Sequence, residues 1–444
     1  MPAFDVIVIG GGAAGLAAAE TLAGAGRRVH LVEARRRLGG RIRTVHPALF
    51  PLPVELGAEF VHGTPPATLE RLRLYRQPFY VTEGVDIHPT PAGLSRHPDF
   101  HASVGRVMER LDRLKGRDVS FTDFLATHAA GDEFAAARPR ACAFVEGFDA
   151  ADPALISARS LAEEWEGLGD VDDDPQHRLV HGYGALLRAM VQALPPARFS
   201  FSPGSRVTAV RWRRGHVTVT TTDSGGRETT LEARQAIVTL PLPFLQDEPD
   251  APGGVQFEPD LPEETRAAAR KLVMGPVVKV LLAFDTPFWA NQKDVGGASL
   301  ADMGFLFAPG APFPTFWTHL PLRAPILTAW TAGPTAAALS GRRPRALIDT
   351  ALDVLADTLR MDRARLAARL VGAKAADWGA DPWARGAYSY VGVSGMRARA
   401  ALARPIEKTL FLAGEATDTE GQASTVAGAL ASGERAAREA LDAG

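Results

Sequence analysis

A single cysteine, Cys142, in 444 residues excludes an internal disulfide framework and any cysteine-rich metal site. No metal is expected, and the composition suits a reducing cytosol. Lysine is nearly as scarce: of 49 basic residues only Lys115, Lys271, Lys279, Lys293, Lys374 and Lys408 are Lys, and the rest are Arg. Neither sign of charge dominates. A formal net charge of −2 removes any global electrostatic argument for nucleic acid or an anionic membrane. Long hydrophobic runs are missing too. The first 25 residues are apolar, but no Lys or Arg precedes them as a signal peptide requires, and Glu20 interrupts them as a membrane span. The expectation is a soluble, cytoplasmic protein without repeats or low-complexity tracts. Hydrophobic residues at 46% and charged ones at 23% are ordinary for a globular chain, and the length suggests two domains.

Hydrophobic patterning supplies the elements. FDVIVI (4–9) reads as a buried strand, residues 13–25 as an Ala/Leu-rich helix and 28–33 as a second strand. Strand, helix and strand within some 30 residues make a βαβ unit and hence a parallel sheet. Residues 103–195 read as helical with few strand-like runs. Runs 206–212, 216–222 and 227–233, the last two joined by Asp223-Ser224-Gly225-Gly226, predict a meander. AIVTL (236–240) is a further apolar strand. A helix is expected at 262–272, strands at 276–284 and within 315–331, helices at 343–359 and 362–370, a strand and turn at 409–416, and a terminal helix to about 441.

Gly10-Gly11-Gly12-Ala13-Ala14-Gly15 satisfies G-x-G-x-x-G between that first strand and helix. Such glycines allow a tight turn, close backbone approach to a pyrophosphate and close helix–strand packing, while the helix N-terminus favours anionic phosphate. Glu33 ends the second strand 18 residues beyond Gly15, where a carboxylate can take ribose hydroxyls. The fingerprint predicts a dinucleotide and leaves NAD and FAD open. After Glu33-Ala34-Arg35 comes a second turn, Leu38-Gly39-Gly40-Arg41, able to return a cation to the same pyrophosphate.

PVVKVLLAF (276–284) places Lys279 among eight apolar residues. A buried ammonium is costly unless paired, so the residues alone predict either snorkelling to the strand end or a carboxylate partner.

Four blocks resemble the flavin-containing amine oxidase family, which includes monoamine, polyamine and L-amino acid oxidases and lysine-specific histone demethylases. They are residues 5–44, VELGAEFVHG (54–63), GPVVKVLLAFDTPFW (275–289), and DPWARGAYSYV (381–391) with 410–439. Residues 85–205 match weakly. The resemblance implies an α/β fold: a Rossmann-type FAD-binding domain with a parallel sheet (1–80, 196–262 and 372–444), interleaved with an α+β substrate-binding domain (81–195 and 263–371). It implies that Gly10, Gly12, Ala13, Ala14, Gly15, Glu33, Ala34, Arg35, Gly39, Gly40 and Arg41 hold the ADP half of FAD, with Val207 beside the adenine. Gly57, Ala58 and Glu59 would line the flavin face. Gly414 and Glu415 would reach the ribityl and pyrophosphate region, and Thr425 and Val426 would meet the flavin pyrimidine. Lys279 would work at the flavin through a water, and Tyr388 would form an aromatic wall.

The chain also departs from the family. Where the monoamine oxidase branch has a cysteine that tethers its flavin, this sequence has Gly386-Ala387-Tyr388, so FAD is expected to be bound without a covalent bond. Residues 418–426, DTEGQASTV, hold no aromatic, which leaves Gln422, Thr425, Trp317 or Trp330 for the second wall. No Arg lies between the ELGA block and Arg71 to pair with an amino-acid carboxylate. His62 is either a substrate-facing group or an ordinary hydrogen-bonded loop histidine. The acidic run Asp170–Asp174 is either an amine-attracting patch or a solvated loop. The expected activity is oxidation of a primary or secondary amine, polyamines included, with dioxygen reduced to hydrogen peroxide. An L-amino acid oxidase, a flavin desaturase or a protoporphyrinogen-type oxidase are the alternatives. Amine and oxygen are the expected partners, with no nucleic acid and no membrane, in a monomer or a homodimer.

Overall fold

The computed structural model describes residues 3–96, 99–168, 175–248, 251 and 253–444; the acidic run at 170–174 therefore lies outside the described residues. Five parallel strands form the first sheet in the order Phe199–Pro203, Val29–Glu33 (β2), Val6–Ile9 (β1), Gln235–Val238 and Leu410–Leu412. β1 alternates its faces as a period of two requires. Val6 and Val8 pack with helix α1 (Ala13–Gly24), while Ile7 and Ile9 pack with the meander strands Ser205–Arg213 and His216–Asp223. Both faces are covered, which explains why β1 reads as one continuous apolar run.

A seven-stranded sheet forms the second layer. Its order is Leu370–Asp377, Val277–Phe284 (β3), Ile326–Ala332, Thr315–Trp317, Met303–Phe307, Val85–Thr90 and Gly93–Ser95. β3 lies inside the edge strand, antiparallel to both neighbours and buried along its whole length. Val278, Val280 and Leu282 face a cluster shared with helix Pro344–Thr358. Val277, Leu281 and Ala283 face the opposite cluster, with Ala332 and Trp378, and alternation puts Lys279 on that same side. Helices between 99 and 168 pack through a separate core.

Three expectations need correction. The helix expected at 262–272 stops at Ala269, because Leu272–Gly275 is a strand paired with Tyr388–Val391. The region read as helical contains the strand Gln176–Leu179, held between Phe60–His62 and Phe79–Val81. The domain boundary drawn at 372 cuts a strand, Leu370–Asp377, that pairs along β3 and belongs to the seven-stranded sheet.

Candidate active site

One cavity of about 2120 Å³ begins at the glycine turn after β1, passes Lys279, and ends among the helices of residues 108–165. It is about twice the size of a pocket for a drug-sized ligand, which leaves room for a dinucleotide and a second molecule. Every candidate cofactor-binding or catalytic residue named from the sequence lines it except Gly15, which packs beneath the turn. A Cβ at Gly15 would lie 1.9 Å from the Gly10 carbonyl oxygen, so the turn closes only around glycine.

At the nucleotide end, a Cβ at Gly12 would meet no atom within 4 Å and would occupy the cavity instead. No side chain caps α1. A cap contributes about 1 kcal/mol to a typical helix, and leaving it out keeps the first N–H groups and the positive dipole end available to an anion. The Glu33 carboxylate accepts the Gly11 N–H (2.7 Å) at one oxygen and the Arg35 N–H (2.8 Å) at the other. Burial raises its pKa, and those two N–H bonds oppose the rise. Ala34 follows it on the cavity wall, and Arg35 pairs with Asp381. Gly39 donates its N–H to the Gly11 carbonyl (2.8 Å), which ties the second glycine turn, with Gly40, to the first. Val207 reaches the cavity where the register of its strand shifts.

The closing block works as a clamp. Arg41 donates to the Ala387 carbonyl (2.8 Å) and to Glu415 (2.7 Å), whose other oxygen accepts from the Ser389 hydroxyl (2.7 Å). Burial would raise the Glu415 carboxyl, but Arg41 and Arg399 hold it below its ordinary value. The expected contact of Glu415 with a ligand is thus redirected: its carboxylate fixes Arg41. Gly414 (φ 135°) turns the chain there. Thr425 accepts from the Gly428 N–H (3.1 Å) and caps the helix Val426–Ala443 (α2), so Val426 stands on the cavity as its first residue. Two helix N-termini, those of α1 and α2, therefore meet one cavity. These features fit FAD: open N–H groups for its pyrophosphate, a carboxylate at its ribose, and a positive helix end where reduced flavin carries charge.

At the other end, Lys279 is 1% exposed. Its ammonium donates to Glu59 (2.5 Å) and to the Gly57 carbonyl (3.2 Å), so of the two alternatives the carboxylate partner is the one realised. Ala58 lies between these two acceptors on the cavity wall. The second Glu59 oxygen takes the Trp317 indole N–H (3.1 Å) and lies 3.0 Å from Arg178 Nε. Burial alone would raise the Glu59 carboxyl, but Lys279 and Arg178 hold it at about 2. The side chain expected to line the flavin face is thus committed to two cations and an indole. Four residues earlier, Glu55 goes the other way. Burial pushes it up to about 7 despite bonds from Thr44 and the Tyr183 N–H, and its Oε2 has no hydrogen-bond partner among the described residues.

Tyr388 donates its hydroxyl to the Phe148 carbonyl (2.8 Å), and Trp330 donates to the Gly147 carbonyl (3.0 Å), both at the end of one helix. Trp317 and Trp330 lie 5.7 Å apart and line the cavity with Tyr388, Gln422 and Thr425, and the Thr425 hydroxyl also serves as its helix cap. His62 lines the cavity, and its Nδ1 lies 3.4 Å from Gln176 Nε2. Cys142 also reaches the cavity, from helix Ala137–Phe148. Sequence reasoning missed Arg178, Glu55, Ser389 and Arg399. Arg178 sits in the weakly matched stretch, and no local pattern ties it to a glutamate 119 positions earlier.

Among the described residues no helix is long and apolar enough to cross a membrane, and no three His, Cys, Asp or Glu side chains are grouped to hold a metal. The structure is similar to that of putrescine oxidase solved with putrescine bound (TM-score 0.79, 23% identity, 99% of both chains). It is equally similar to cyclohexylamine oxidase from Brevibacterium oxydans (0.79, 21%, 99% of both). In sequence the chain is similar to polyamine oxidase 4 of Oryza sativa subsp. japonica, 29% identical over 98% of this chain and 88% of that one. It is also similar to human lysine-specific histone demethylase 2, 27% identical over 98% of this chain and 53% of that protein. The family model for flavin-containing amine oxidoreductases matches residues 13–441. With the α/β fold, the dinucleotide end and the lysine-bearing strand in place, the chain belongs to the flavin-containing amine oxidoreductases: it is a flavin amine oxidase whose cofactor is FAD.

Proposed function

We propose that the protein oxidises a primary or secondary amine, with diamines and polyamines as the favoured class, to an imine that hydrolyses to a carbonyl compound and ammonia or a smaller amine, while dioxygen becomes hydrogen peroxide. One observation carries the substrate class. Beyond Lys279 the cavity wall holds Glu146, Asp149, Glu163 and Glu164, and among the described residues none of these carboxylates forms an ion pair. Glu146, Asp149 and Glu164 face open volume, yet the surrounding protein still desolvates them. Burial, and then the neighbouring Glu164, raises Asp149 well above the carboxylate range, and burial likewise raises Glu164 and Glu146. An incoming ammonium relieves that repulsion, whereas a substrate carboxylate adds to it. The arginine beside Lys279 offers no free fork for an amino acid, since Arg178 is committed to Glu59 and to the Thr318 carbonyl (2.9 Å).

In this reading α1 with Gly10, Gly12, Ala13 and Ala14 holds the pyrophosphate, with Gly15 packed beneath; Glu33 holds the ribose, Val207 flanks the adenine and Val426 offers its N–H to the flavin pyrimidine. FAD, when bound, supplies a two-electron acceptor for the carbon next to nitrogen and delivers those electrons to dioxygen. Tyr388 and Trp330 wall the substrate, and Lys279 presents its ammonium to the reacting region. The flavin is bound without a covalent bond, because Ala387 stands where a tethering thiol is needed. Acid precipitation should leave the yellow colour in the supernatant.

A peroxide assay over mono-, di- and polyamines and L-amino acids, with product mass spectrometry, tests this reading. Turnover of amines should exceed that of every amino acid. Faster turnover of any free L-amino acid than of all amines would overturn it.

A further inference from the structure

We propose that Glu59 is a positioning residue for Lys279. It keeps the buried ammonium charged and fixed in the cavity wall, so that Lys279 serves by charge and hydrogen-bond donation and not as a base. The proposal rests on the reading that Lys279 faces the reacting centre, and it narrows the roles open to that residue.

The geometry is specific. Lys279 stands on β3 with apolar neighbours on either side, and among the described residues Nζ has two acceptors, Glu59 at 2.5 Å and the Gly57 carbonyl at 3.2 Å. An ammonium has three donors, so one remains for the cavity that both residues line. Trp317 adds the face of its ring, 5.5 Å from Nζ. Glu59 cannot swing away from Lys279 at low cost, because its other oxygen is held by Trp317 and Arg178. Arg178 is itself stacked over Phe60 (4.5 Å) and bonded to the Thr318 carbonyl.

The charged and titratable groups facing Lys279 leave Glu59 as its counter-ion. Arg178 is a like charge. Burial pushes His319 down to about 3, so it is neutral, and its Nε2 has no partner among the described residues. Glu55 is raised to about 7 and contributes a full negative charge only above that. Removing the Glu59 charge would leave two cations together in a buried site, and the ammonium is the one able to lose a proton. A lysine held in this way can hold a water and stabilise negative charge as it forms.

The test uses the flavin-loaded enzyme with lysine labelled with ¹³C at Cε. With six lysines the spectrum is sparse, and Lys279→Met assigns the signal. In Glu59→Gln the Lys279 signal should leave its ammonium position about one pH unit or more below the wild type, while the other five lysines stay in place. Glu59→Asp, which keeps the charge, should return the signal towards the wild-type position and remains informative if the glutamine variant fails to fold. A Lys279 signal that titrates at the same pH in Glu59→Gln as in wild type, or an Asp variant that behaves like the Gln variant, sinks the proposal. Stopped-flow traces of Lys279→Met separate the two layers. Wild-type rates there, together with the shift in Glu59→Gln, refute a catalytic role for Lys279 and leave the pairing standing.

Discussion

Glu33 and Glu59 are buried carboxylates on the wall of one cavity, and they are satisfied in opposite ways. Glu33 takes two backbone N–H groups, Gly11 and Arg35, from its own βαβ unit. Glu59 takes Arg178, Lys279 and Trp317, which arrive from three distant segments and two sheets. The difference shows in their protonation: burial wins at Glu33 and raises it, whereas the cations win at Glu59 and lower it to about 2. Neutral N–H dipoles shape a loop around a ligand, and paired charges fix a reactive group against one. The nucleotide end is built locally, and the reacting end is built by the tertiary fold.

The largest expected effect breaks the local side of the comparison. Glu33→Arg removes both acceptors and sets a guanidinium at the positive end of α1. Loss of charge-assisted bonds to two ribose hydroxyls, at about 1.5–3 kcal/mol each, puts the loss of FAD affinity at roughly 100-fold or more. Flavin retention after dialysis, in protein whose circular dichroism is unchanged, measures it; full retention would show that the carboxylate only closes the turn.

Glu55 sharpens the comparison, as a buried carboxyl with neither enough N–H donors nor a cation. Its folded pKa of about 7 lies above the ordinary carboxylate value, so folding favours its protonated form. Stability is therefore retained at low pH and lost as pH rises from about 4.5 to 7, by about 3 kcal/mol in all. Glu55→Gln removes that loss. Its melting temperature relative to wild type should rise between pH 5 and pH 8, and an offset that is the same at both pH values would contradict the assignment.

Lys279→Met is the smallest step. It keeps volume and removes charge, so folding and FAD content should survive. Flavin reduction by amine, reoxidation by oxygen, or both, should slow by at least about tenfold. Wild-type traces in both half-reactions would return Lys279 to a structural pairing with Glu59.

Much of the nucleotide end was legible because its chemistry is compressed into short intervals: strand, glycine turn, helix and a carboxylate at the next strand end all fall within residues 6–33. Even there, the sequence suggested Glu33 as a ribose ligand and gave no sign that its oxygens hold Gly11 and Arg35. At the reacting end Lys279 stood out because a charge interrupts an apolar strand. Its partner did not stand out, since Glu59 appeared to belong to a flavin-facing loop. The strand Gln176–Leu179, which brings Arg178 to Glu59, was hidden in a stretch that reads as helical because four residues carry too little periodicity to register.

The sequence by itself determined the parallel sheet, the dinucleotide turn and the presence of one buried lysine, since each depends on spacing within a few tens of residues. Only the tertiary structure decided what that lysine is paired with, which aromatics wall the cavity, and why Glu55 and Glu59, one helical turn apart in numbering, titrate in opposite directions. Those outcomes depend on which charges a distant strand delivers into a buried site, where a few ångströms decide whether a carboxylate is paired or alone.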